Sequence, residues 1–149
     1  MSDKTELIQE YNELLQGCHM GASTFKIYLD EAYDLELRKL LTEAIDAFKK
    51  HEKSLTEKII HLNADPSDEI PMMGMISEFF EKMKVKMADT DKTLDYALRA
   101  IDMGIQGVEN FHKKHPEIND DIRQATSDLL HDYKITYQKL SDYKIERIK

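Results

Sequence analysis

The chain has 149 residues, enough for one domain with a real core, and its 41% hydrophobic and 34% charged residues are the balance of a soluble globular protein. A formal net charge of −8 repels phosphate backbones and argues against nucleic acid as a partner. The single cysteine, Cys18, excludes an internal disulfide, and five glycines with three prolines are few enough to favour helix over sheet.

The first predicted element covers residues 5–32. Leu7, Tyr11, Leu14, Cys18, Gly21, Phe25, Tyr28 and Ala32 recur in alternating steps of four and three, one seam along a long helix. Ser2 or Asp3 can cap its start, and Glu6 suits the positive end of its dipole. A second helix is predicted over 34–62, capped by Asp34. Its seam is Leu37, Leu41, Ala44, Phe48, His51, Leu55, Ile59 and Leu62. The join is short, so the two helices are expected as antiparallel neighbours. Folding them back at residues 34 and 35 makes facing residues sum to about 69, which sets Gly21 against Phe48, Phe25 against Ala44 and Cys18 against His51.

Residues 63–71, NADPSDEIP, read as a loop because Asp65 and Ile70 each precede a proline. MMGMISEFFEKMKVKMA follows, with Ile76, Phe80, Met83 and Met87 at helical spacing, which predicts a shorter helix over 71–88. Its cluster of Met72, Met73, Met75, Met83 and Met87 reads first as core; on a loosely held helix it would make an adaptable partner surface. The next helix runs over 91–114 on Leu94, Ala97, Ile101, Ile105, Val108 and Phe111, and His115-Pro116 ends it. The last starts between Pro116 and Asn119 and continues on Ile122, Ala125, Leu129, Tyr133, Thr136, Leu140 and Tyr143. Only the segment between the second and third long helices can serve as a crossover. Two hairpins joined in that way have the ferritin-like topology; an up-down-up-down bundle with an extra helix is the other arrangement. The N-terminus, MSDKTELIQ, has no apolar signal core and no run of 18 apolar residues exists, so a cytoplasmic protein without a membrane span is expected.

A carboxylate-bridged two-metal centre in such a bundle needs inward glutamates and Glu-x-x-His pairs. His51 has Phe48 three residues before it, and the seams hold no Asp or Glu, although Glu13, Glu43, Asp46 and Glu52 lie beside them. A conventional di-iron centre is therefore not expected. Cys18 facing His51 could bind a soft metal or act as a nucleophile; packed in a core they read as an inert thiol and a histidine bonded to a neighbour, with Tyr11 and Tyr28 on the facing seam. Glu109, His112 and His115 could gather a surface metal at the end of the third long helix, but Val108 and Phe111 own its seam and turn these three side chains to water. Asp128 with His131 is a second acid-x-x-His match. Gly17 and Gly21, spaced G-x-x-x-G, point to a close helix approach. No Gly-rich phosphate loop, Ser-His-Asp arrangement or zinc cysteine pair is present.

The stretch ELLQGCHMGASTFKIYLDEAYDLELRKLLTEAIDAFKKHEKSLTEKI resembles the first hairpin of rubrerythrin-like and ferritin-like bundles. Together with LDYALRAIDMGIQGVENF it is similar to a bacterial ferritin-like family of four-helix-bundle domains of unknown function, over residues 6–145. On that resemblance His51 matches the ligand histidine of the second helix and Phe48 departs from its glutamate. In the last helix, His131 falls on the family's glutamate and Lys134 on its histidine. The resemblance implies the fold and argues against ferroxidase or peroxidase activity. The expectation is a single all-α domain over 1–149, an antiparallel ferritin-like four-helix bundle with a short helix in its crossover. It would be non-enzymatic and without a cofactor, acting through self-association or a protein partner, in a stress or sporulation setting as the resemblance hints. The alternative is a transition metal or redox site around Cys18 and His51, or around Glu109 and His112.

Overall fold

Asp34 shows how the sequence sets its own helix boundaries. Its backbone is extended, and its carboxylate accepts the Leu37 N–H at 3.1 Å, an N-cap where the pattern placed one. The structure, a computed structural model, describes residues 4–65 and 90–148. Four helices carry nearly all of them: α1 (Lys4–Glu31), α2 (Leu35–His61), α3 (Thr90–Lys114) and α4 (Asp120–Ile148). Among the described residues there is no strand, and no helix long and apolar enough to cross a membrane. The expected short helix at 71–88, its Met cluster and the caps at Ser2 and Asp3 lie outside the described residues.

The helix ends are satisfied from neighbouring elements. The last turn of α1 has no basic residue of its own, and Arg38 of α2 supplies the missing donor, reaching Leu29 O at 2.7 Å and Ala32 O at 2.9 Å. Asn63 closes α2 with φ 60°, a left-handed conformation that asparagine tolerates. Asn119 caps α4 by accepting the Ile122 N–H at 2.9 Å.

α1 packs on α2 and α3, and α4 packs on α3 and α2. Gly21 lies against Phe48, where an added Cβ would come 2.7 Å from the ring, and Tyr11 Oη donates to Leu55 O at 3.0 Å. Along the α2–α4 seam, Glu43, Lys50 and Lys58 meet Lys139, Asp132 and Asp121 in turn. On α1, Leu15 and Ala22 are buried beside the expected seam while Leu14 is only partly covered. Each helix faces two neighbours, so its buried stripe is wider than one heptad seam; Ile45, Thr93 and Thr126 are buried off the seam on the other three.

Candidate functional site

His51 sits at mid-height on α2 and is 3% exposed. Its partner is neither tyrosine of the facing seam. The His51 Nε2–H donates to Asp132 Oδ2 of α4 at 2.7 Å, and Lys50 Nζ donates to the same oxygen at 2.9 Å. Burial alone would raise the Asp132 carboxyl; the hydrogen bonds from Lys50 and His51 outweigh it and hold the group below its ordinary value. Asp132 stands one residue from the seam position Tyr133, so a side chain from the edge of the apolar stripe reaches inward.

A similar contact joins α1 to the end of α3. His115 is fully buried, and its Nε2–H donates to Glu10 Oε2 at 2.6 Å while Lys114 Nζ donates to Glu10 Oε1 at 2.6 Å. The Lys114 hydrogen bond, aided by that of His115 and opposed by burial, keeps the Glu10 carboxyl below its ordinary value. The expectation that Glu109, His112 and His115 point together into water is overturned. His115 lies just past the last helical residue, Lys114, so helical periodicity no longer decides its direction and it turns to α1. His112 Nε2 lies 2.7 Å from Thr126 Oγ1 on α4, and that hydroxyl is itself committed to Ile122 O at 2.8 Å. The network therefore assigns the hydrogen to His112 Nε2. Burial first, and then the Arg123 charge, lower the His112 pKa and favour this neutral form. Glu109 stays exposed with Lys134 at 3.7 Å. Asp128 accepts from Gln124 and does not meet His131.

Cys18 is fully buried, with Sγ 3.8 Å from Tyr133 Oη, and burial pushes its thiol up to about 12. The protonated thiol is a poor nucleophile and a poor metal ligand. The middle of the bundle is filled by rings: Phe48 stands edge-on to Phe25 at 5.2 Å between centroids and tilted against Tyr133 at 5.9 Å. Gly21 and Gly104 make room, since a Cβ at either would come within 2.7–2.8 Å of Phe48 or Tyr133. Between α1 and α3 an apolar groove of about 440 Å³ opens, lined by Leu14, Gly17, Met20, Met103, Gly107 and Tyr133, with Glu10 and Lys114 at one end. Gly17 of the G-x-x-x-G pair faces this groove, and only Gly21 serves a close approach, there to a ring.

Among the described residues no group of three or more His, Cys, Asp or Glu side chains is placed to hold a metal ion. The donor chemistry gives a reason. Each buried histidine meets one carboxylate, and a lysine ammonium already bonds to that carboxylate. Fold and site thus define a class: a helical protein whose described residues form four helices, with an aromatic middle and histidine–carboxylate contacts binding α1 to α3 and α2 to α4. The family model described as a domain of unknown function, DUF2383, matches residues 6–114, and the chain belongs to that family. No match was found among the curated proteins. The matched stretch ends with α3, so Asp132, Tyr133 and Thr126 come from a helix beyond it.

Proposed function

We propose that this chain is a ferritin-like bundle in connectivity but not in chemistry: one antiparallel domain, non-enzymatic, cytoplasmic, acting by association with a second copy or a protein partner. The connectivity is supported by residue order. α2 positions rising from Glu43 to Lys58 meet α4 positions falling from Lys139 to Asp121, and Glu10, early in α1, meets Lys114 and His115, at the end of α3. With α1 and α2 antiparallel across their short join, antiparallel neighbours on both seams make α2 and α3 parallel, so the end of α2 and the start of α3 lie at opposite ends of the bundle. The observation that carries the chemical reading is the Phe25–Phe48–Tyr133 cluster. Rings occupy the mid-bundle level at which a bridging carboxylate centre would need oxygen ligands.

Elemental analysis of untagged protein tests it. The reading expects far less than one transition metal per chain, with mass by multi-angle light scattering rising with concentration or with an added partner. One tightly held metal per chain, lost in His51→Ala, would overturn it in favour of an unorthodox metal site.

A further inference from the structure

The end of the bundle opposite His115 holds two buried hydroxyls without partners. Tyr28 on α1 is 2% exposed and Thr93 on α3 is 9% exposed, yet neither Tyr28 Oη nor Thr93 Oγ1 has a hydrogen-bond partner. Both line the same small cavity of about 20 Å³, whose other walls are Ala32, Leu37, Leu41, Leu94 and Ala97, with Glu31 and Thr90. Buried hydroxyls in native proteins are bonded in the large majority of cases, yet here the walls are mostly apolar and neither Glu31 nor Thr90, which also line the cavity, bonds to either hydroxyl.

Size and charge narrow the ligand. A space of about 20 Å³ admits a single water, whose probe sphere needs roughly 10–15 Å³. Thr93 carries no charge, and burial pushes the Tyr28 phenol far above its ordinary value, so both hydroxyls are neutral at any physiological pH. The pair brings no charge to hold an ion, and Glu31 at the wall repels an anion. A neutral molecule that both donates and accepts satisfies the pair.

We propose that this cavity is the binding site of one structural water, which bridges Tyr28 Oη and Thr93 Oγ1 and ties the last third of α1 to the first turn of α3. Each hydroxyl has one hydrogen and two lone pairs, so the water accepts from one and donates to the other. The bridge stands at the α1–α3 seam, beside the groove, and it holds the upper end as Glu10 and His115 hold the lower.

The test is a double-mutant cycle with Tyr28→Phe and Thr93→Val, read by urea unfolding, beside a high-resolution crystal structure of the unaltered chain. Each single variant should raise the unfolding equilibrium constant about threefold to tenfold. The double variant should fall well short of the product, because the first change already releases the water. Thr93→Ser, which keeps the hydroxyl, should restore the coupling to Tyr28. The crystal structure should show one density peak within hydrogen-bond distance of both oxygens. Multiplicative effects, silent single variants, or a direct Tyr28–Thr93 bond with no peak between them would each overturn the proposal.

Discussion

Asp132 bears more consequence than its place at the edge of a seam suggests. It is the acceptor for a buried histidine and an exposed lysine at once. Asp132→Ala would strand the His51 N–H in the core and is expected to cost about 2–4 kcal/mol in urea unfolding, whereas Lys50→Ala, which loses an exposed ion pair, should cost below about 1 kcal/mol. Asp132 and Glu10 both have folded pKa values below their ordinary ones. Their contribution is therefore present above the unfolded carboxylate pKa and is lost as pH falls through the folded value, so stability should decline below about pH 4. Asp132→Asn and Glu10→Gln should each flatten that decline in acid titrations followed by circular dichroism. Cys18 gives a separate check: its buried, protonated thiol should react with a disulfide reagent at pH 8 only as fast as the bundle opens. The burial of His51 and Cys18 was legible from the apolar spacing around them. Their partners were not, because Asp132 and Tyr133 belong to a helix some 80 and 115 residues further on in sequence, and nothing local reports its rotation.

Among the elements, the glycines divide by what faces them. Gly21 and Gly104 lie against the rings of Phe48 and Tyr133, while a Cβ at Gly17 or Gly107 would meet only ordinary contacts at 3.9 and 3.6 Å. A helix gains about 0.5–1 kcal/mol when an interior glycine becomes alanine. Gly17→Ala and Gly107→Ala should therefore raise the melting temperature. Gly21→Ala and Gly104→Ala should lower stability by about 1–2 kcal/mol net, since a ring pressed out of place costs more than the helix gains. A scan of the four variants by thermal unfolding separates the two pairs. The helix ends were the most legible feature, because Asp34, Asn119 and the dipeptide His115-Pro116 act within a turn of themselves. The exception is the end of α1, completed by Arg38 from the next helix, which a search for basic residues within α1 itself misses.

For the whole molecule, the core draws on all four helices. Leu129, Tyr133 and Leu140 of α4 are buried with Tyr11, Leu15 and Phe25 of α1 and with Leu55 and Ile59 of α2. The family match ends at residue 114, but a chain cut there would lose one wall of the core. A fragment of residues 1–114 is expected to melt without a cooperative transition, whereas the full chain should show one. The all-helical class was legible from composition and period. Which helices adjoin was only half legible: a short join fixes α1 beside α2, but the seams between the two hairpins depend on side chains such as Glu10 and Lys114 that look like ordinary solvated charge in the sequence.

Tyr143 donates to Asp34 Oδ2 at 2.9 Å, the same oxygen that caps α2, and the two residues lie 109 positions apart. During translation residue 34 leaves the ribosome long before residue 143 exists, so the nascent first hairpin waits with one flank bare. Completion then waits for α4, and nascent chains stalled before α4 has emerged should be the ones that chaperones hold and proteases find.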